Sequence, residues 1–222
     1  MSKNILINWT IRVLCAGLIN QTRQKDICRK RRNIADRGVQ ELTKTNEICL
    51  QICSALEQLV QTKKLSDISV VELCQLSGVP RSTFYSHFCD IYAVPQWLWD
   101  QMMGATLYKI GDTLTWDQGH RIMFQRLQER KVFFTRIYWE HDNNSILEYG
   151  YRGGFNAVKT NVEMRKNHIW TSAEIVELDY TIKALAALTT KWGRDGMQVP
   201  VETMVHIFNT HVPDFLKELC DT

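Results

Sequence analysis

The chain has 222 residues, 45% of them apolar and 23% charged, enough for one or two globular domains with a real core and unlike a disordered or fibrous sequence. Its net charge of +3 is uneven: residues 1–37 hold nine Lys and Arg against Asp26 and Asp36, a local +7 ahead of a mildly acidic remainder. Seven cysteines, odd in number and without CxxC or Cys/His spacing, read as reduced thiols of a cytoplasmic protein rather than a disulfide scaffold or a zinc site.

In chain order, the first apolar stretch, Ile5 to Ile19, is about fifteen residues long and is interrupted by Arg12. That falls short of the roughly twenty residues a membrane-spanning helix needs. It leads into Arg23 and Lys25 without a small-residue cleavage site, so no membrane partner and no secretory signal is expected. Arg29, Lys30, Arg31 and Arg32 follow as a basic cluster. Alone this is a solvated charge run; ahead of a DNA-binding unit it is a clamp for phosphates or the minor groove.

From Ile48 the apolar positions Ile52, Ala55, Leu56, Leu59 and Val60 recur at three- and four-residue steps. They predict a helix with Thr45 as N-cap and Lys63-Lys64 at its basic end. Ser69-Val70-Val71-Glu72 has the form of a capping box opening a short helix through Leu73, Cys74 and Leu76. Ser77-Gly78-Val79 stops it, the glycine being free to take the left-handed conformation that β-branched residues resist. Pro80 suits the first turn of the next helix, Arg81 to Phe88, whose inward face is Phe84 and Phe88.

Asp90 is expected to cap a further helical region reaching about Tyr108, with Pro95 near its start as a kink or hinge. Helical periods resume over 118–137, 145–166, 171–192 and 201–219. Thr171 and Glu174 form a second capping box, Trp170 and Ile175 a hydrophobic staple, and Gly193 is expected to end that helix. Pro213 is expected to kink the last one. No segment alternates as a strand does. The fold class is therefore all-α: an N-terminal three-helix helix-turn-helix domain, then a C-terminal helical domain.

A helix, a short capped helix, a tight glycine turn and a short polar helix make the helix-turn-helix arrangement. The second short helix must show base edges small hydrogen-bonding side chains, and Arg81, Ser82, Thr83, Ser86 and His87 meet that need. Arg81 can bond a guanine O6/N7 pair, and a threonine methyl can meet a thymine methyl. Ser69, at a helix N-terminus, offers a hydroxyl to a phosphate.

The run Ile68-Ser69-Val70-Val71-Glu72-Leu73-Cys74-Gln75-Leu76-Ser77-Gly78-Val79-Pro80-Arg81-Ser82-Thr83-Phe84-Tyr85-Ser86-His87-Phe88 closely resembles the N-terminal domain of the TetR family of transcription regulators. The resemblance covers roughly Thr45 to Trp99. It continues more weakly from Leu178-Asp179-Tyr180 through Trp192 to Gly196-Met197. It implies a phosphate contact at Ser69 and base contacts at Arg81, Ser82 and Thr83. It adds backbone or base contacts at Tyr85 and His87, with Pro80 and Ser86 in the same DNA-binding set. Two positions depart from the pattern: Ile91 stands where the family usually has a phosphate-contacting lysine, and Val71 and Glu72 where many members carry a basic residue. Residues 38–90 hold four basic against six acidic side chains, so the Arg29–Arg32 cluster is expected to supply the missing phosphate grip.

The domain plan that follows is 1–40 basic extension, 41–94 helix-turn-helix, and 95–222 effector-binding and dimerisation domain. The resemblance implies a homodimer on a palindrome of double-stranded operator DNA, repression as the family's commoner mode, and control by an unidentified small-molecule effector. The wide apolar stripes of the last helices suit an isologous interface through Leu178, Ile182, Leu185, Val205, Phe208 and Val212. The dense aromatics Trp99, Trp116, Phe124, Phe134, Tyr138, Tyr151 and Phe155 suggest an apolar effector site among them.

No cofactor, metal site or enzymatic activity is expected. Glu202, His206 and His211 lack a second Glu-x-x-His helix, and Gly150-Tyr151-Arg152-Gly153-Gly154 lacks the strand a phosphate loop requires. The alternative is a co-regulator of the same fold that works through protein contacts without specific DNA binding. The acidic helix-turn-helix favours it, and the intact Arg81-to-Tyr85 run opposes it.

Overall fold

The computed structural model describes residues 39–139 and 146–221, with side chains from residue 45 onward. The described residues form α-helices and two short 3-10 turns, and they contain no strand. They fall into two compact units divided between Leu98 and Trp99.

The N-terminal unit begins with α1, Val39–Leu59, which runs unbroken through Thr45. The expected cap there is not used, because Gln40, Glu41, Leu42 and Lys44 are themselves good helix formers. After a 3-10 turn at Leu65–Asp67 come α2, Val70–Ser77, and α3, Arg81–His87. Ile52, Leu56, Leu73, Phe84, Phe88 and Val94 are at most 1% exposed and form the core. Cys49, Cys53 and Cys74 are buried in it outside any disulfide, packing as small apolar side chains. α4, Ala93–Met103, is opened by Asp90 Oδ1 accepting from Ala93 N at 3.0 Å. Pro95 sits in its first turn, where a missing N–H breaks no bond, and the helix continues past it.

The C-terminal unit contains the 3-10 turn Leu107–Lys109, α5 (Trp116–Glu129), α6 (Lys131–Ile137), α7 (Ile146–Lys166), α8 (Ser172–Arg194), α9 (Val201–Thr210) and α10 (Asp214–Asp221). Three expected boundaries change. The region 118–137 is two helices divided at Arg130, and the first starts earlier because Thr115 and Gln118 make a full capping box. The stretch 201–219 is broken rather than kinked: α9 ends at Thr210 and α10 starts at Asp214, since Pro213 disfavours a helical residue before it. Gly193 lies inside α8, not at its end, and the left-handed turn falls on Gly196 and Met197 (φ 72° and 51°). The glycine is there for close approach: the Tyr138 ring occupies the space any side chain would need.

The core of this unit is aromatic and centred on α5. Trp116 is fully buried, its indole N–H donating to Phe208 O at 3.2 Å. His120 stacks between Trp116 and Phe208, and Phe124 meets Trp192 and Phe208 edge-on. Buried Asn161 of α7 donates to Tyr108 O and Ile110 O at 3.1 and 2.7 Å. It thereby closes the irregular backbone after α4, which has no helical partners of its own. The Trp116 N–H is capped by Asp221 Oδ1 at 2.7 Å, so the last turn of α10 fastens the start of α5.

Candidate nucleic-acid interface and apolar cavity

The helix-turn-helix is built from local rules. Ser69 Oγ accepts from Glu72 N at 3.1 Å, holding the first turn of α2. The return half of the expected box is replaced: the Glu72 carboxylate pairs instead with Lys63 Nζ at 2.5 Å. Gly78 has φ 68°, and Gln51 of α1 donates from Nε2 to Ser77 O at 2.8 Å. That bond satisfies a carbonyl the helix end would leave open. Pro80 is the N-cap of α3 rather than its first residue, and its carbonyl accepts from Phe84 N at 2.9 Å.

α3 is thus anchored by Phe84 and Phe88, with rings 5.6 Å apart, while Trp97 meets Phe88 edge-on. The opposite face carries Arg81, Ser82, Tyr85 and Ser86 exposed, with Thr83 and His87 half-buried. Ser86 Oγ donates to Thr83 O at 2.6 Å, so its oxygen lone pairs remain available as acceptors. Ser69 is exposed, and its O–H can still donate although its oxygen serves as the cap. Ile91 is buried in the unit's core, so this position contributes packing where the related pattern has a cation. Arg29, Lys30, Arg31 and Arg32 lie outside the described residues.

In the C-terminal unit the seven aromatics expected around a ligand part company. Trp99 and Tyr138 line a cavity of about 40 Å³ together with Leu107, Met123, Ile146, Leu147, Gly150 and Gly154, and with Ile182, Leu185, Ala186, Thr189, Thr190 and Phe208. Trp116, Phe124 and Phe134 belong to the surrounding core, each fully buried. The Tyr151 hydroxyl donates to Asp179 and its ring leans on Phe155. The cavity wall is mainly aliphatic, from α7 and α8. The one sequence signal for it was Thr189-Thr190 interrupting an apolar stripe.

The residues expected at a dimer interface are buried within the single chain. Leu178, Ile182, Leu185, Val205, Phe208 and Val212 are each at most 9% exposed within the single chain. Their stripe is consumed by the unit's own core, and Ile182, Leu185 and Phe208 border the cavity. What α8 leaves outside is Val176 and Tyr180, 67% and 74% exposed, in register with exposed Ala184 and Ala187. The Gly150–Gly154 segment is helix, with Gly150 and Gly153 lying against the rings of Trp99 and Tyr108. Glu202 is engaged by Arg121, while His206 and His211 are exposed.

A TetR-type family model, described as the C-terminal region of transcriptional regulators, matches residues 114–214, the span from the start of α5 to α10. A curated relative is the HTH-type dhaKLM operon transcriptional activator DhaS of Lactococcus lactis subsp. lactis (strain IL1403), 23% identical over 87 residues. That match covers 39% of this chain and 46% of the relative, so the chain spans about half the length of that protein. Among solved structures, the dihydroxyacetone kinase operon activator DhaS superposes with a TM-score of 0.53 at 17% identity. It covers 74% of this chain and 96% of that one, a likeness of fold. From α5 to α10 the chain is therefore similar to the C-terminal region of TetR-type transcriptional regulators, and it carries a helix-turn-helix ahead of that region.

Proposed function

We propose that the chain binds double-stranded operator DNA sequence-specifically as a homodimer, and that a small-molecule effector in the C-terminal cavity modulates this binding. The observation that carries the reading is α3. Phe84 and Phe88 pin one face while Arg81, Ser82, Tyr85 and Ser86 stand exposed on the other, the slim polar profile a major groove accepts. Exposed Val176 and Tyr180 on α8, with small alanines beside them, support a self-complementary helix-to-helix contact. The relative DhaS is described as an activator, which favours activation over the repression expected from the family's commoner mode.

The test is a footprint on the promoter region beside the gene at several salt concentrations. Protection of a palindrome is expected, and Arg81→Ala should lower discrimination at one base position by about 1–3 kcal/mol. Uniform weakening across all sequences would reject base reading by Arg81. A reporter fused to that promoter reads the sign of regulation.

A second reading is a co-regulator that acts through protein contacts. It is favoured by the Lys63–Glu72 pair, which ties up a cation of the helix-turn-helix, and by buried Ile91. Absence of any protection at low salt would establish it over the first.

A further inference from the structure

The cavity of the C-terminal unit is bordered by a glycine that packing does not require. Gly154 lies inside α7, is buried, and lines the cavity. Glycine within a helix is less stable than alanine, and at the other helical glycines of this unit a close neighbour explains it. A Cβ at Gly119 would run into Ile110, at Gly153 into the Tyr108 hydroxyl and at Gly193 into the Tyr138 ring. At Gly150 it would stand 3.0 Å from the Trp99 ring. At Gly154 the nearest atoms beyond its own helix are Ile182 Cγ2 and Leu107 Cδ2, both at 3.6 Å, an ordinary contact distance. Its φ is not positive. Neither space nor backbone conformation therefore asks for glycine. An alanine methyl would fit between Leu107 and Ile182, two side chains of the cavity wall, and take part of the volume. What the glycine secures is that volume.

The wall sets the chemistry of an occupant. It is aliphatic and aromatic, and no charged side chain is among the lining residues. The two aromatic donors on its border, Trp99 Nε1 and the Tyr138 hydroxyl, are sealed within the packing. The Thr189 hydroxyl donates to Leu185 O at 2.8 Å. That of Thr190 can turn to the carbonyl four residues back, as threonines in helices do. A polar ligand would give up its bonds to water and recover few, and an ion would lie there without a counter-charge. An apolar space of this kind stays dry and takes apolar molecules. The volume of about 40 Å³ is well below the roughly 150 Å³ of a cavity that holds benzene. The occupants that fit are about the size of xenon or of a hydrocarbon of roughly two to four carbons.

We propose that the cavity is a site for a small, uncharged, apolar molecule, and that Gly154 holds open the space it occupies. This rests on reading the cavity as the effector site and names the chemical class that site selects. The aliphatic wall supplies contact area, and polar competitors are rejected by the hydration they would lose.

Isobutene, acetone and acetate test it, planar molecules of equal heavy-atom count. Acetone puts a carbonyl oxygen in place of the CH₂ of isobutene, and acetate adds a charge. Each is titrated, with xenon as a further probe, against the full chain and against Gly154→Ala. The methyl resonances of Leu107, Ile146, Ile182 and Leu185 are followed by NMR. Isobutene and xenon should shift these methyls. Acetone should bind at least about tenfold more weakly than isobutene, and acetate not at all. Gly154→Ala should weaken isobutene by about tenfold or more and, free of ligand, melt roughly 2–4 °C higher.

No methyl shift with either isobutene or xenon would overturn the inference. Acetone or acetate binding as well as isobutene would overturn the ligand class. A Gly154→Ala chain that binds isobutene as the wild type does, or that melts lower, would overturn the role of the glycine. Operator binding that stays unchanged while isobutene shifts the methyls would overturn the effector reading alone, with the site and its class upheld.

Discussion

At the scale of single residues, the backbone at Gly78 and the imidazole of His120 make the sharpest demands. A Cβ on Gly78 would meet only Gln51 Nε2, at 4.0 Å, so space is not what requires glycine; φ of 68° is. Gly78→Val should therefore destabilise by about 1–3 kcal/mol, while Gly78→Asn, which tolerates positive φ, loses clearly less. Urea unfolding of both variants checks it. His120 is held neutral, its pKa lowered to about 4 mainly by burial, against the raising effects of the Trp116 carbonyl and Asp117. The unfolded chain takes up that proton near pH 6.5. Stability from this group is thus fully present above about pH 6.5 and declines as pH falls to about 4, by roughly 3 kcal/mol in all. His120→Gln, compared with wild type in urea at pH 7 and 4.5, should lose that part of the slope. Gly78 was legible in the sequence because glycine between two short helical periods has few other uses. The state of His120 was not, since burial depends on Trp116 and Phe208, the latter 88 positions away in the chain.

At the scale of elements, local signals were read well and tertiary partnerships were not. The box at Thr171 and Glu174 formed as its four-residue wording implies, with bonds of 2.8 and 3.2 Å. The equivalent box at Thr115 and Gln118 was missed because glutamine at the third position is a weaker cue. Both caps should contribute: Thr171→Ala and Thr115→Ala are each expected to cost about 1 kcal/mol by denaturant titration. By contrast, Glu72 left its own cap for Lys63, and Gly193 stayed inside α8 because Tyr138 packs on it. Lys63 lies nine positions before Glu72 and Tyr138 fifty-five before Gly193, both beyond the four-residue reach of a cap pattern. The apolar stripe of α8 was real, but periodicity gives the width of a buried face and not whether the chain itself or a second copy covers it. The outward face is where assembly is now to be sought. Tyr180→Arg should convert the protein to monomer in sedimentation and weaken operator binding, with its far-UV spectrum unchanged.

At the scale of the whole molecule, charge distribution is the property that sequence alone conveys. Residues 1–37 carry +7 and residues 38–90 carry −2, and the expectation that the extension grips phosphate rests on that contrast alone. If Arg29 to Arg32 each neutralise one phosphate, removing residues 1–37 should reduce the slope of log binding constant against log salt by roughly 3–4. An unchanged slope would return the phosphate contacts to the helix-turn-helix itself. Fold class was the most legible feature at this scale, because helical period runs through nearly every segment. The cavity was the least, because its wall draws on residues from Trp99 to Phe208, a combination no local pattern brings together.

The bond from Asp221 to the Trp116 N–H bears on how the protein is made. The unit that starts at Trp99 cannot fasten the head of its central helix until the ribosome has added Asp221. The unit ending at Leu98 has all its own residues by then. Between completion of α5 at Glu129 and addition of Asp221 lie 92 residues, roughly 5–18 s at ordinary translation rates. For the first part of that interval Trp116 and Phe124 lack Trp192 of α8 and Phe208 of α9, the rings that later pack on Phe124 and His120.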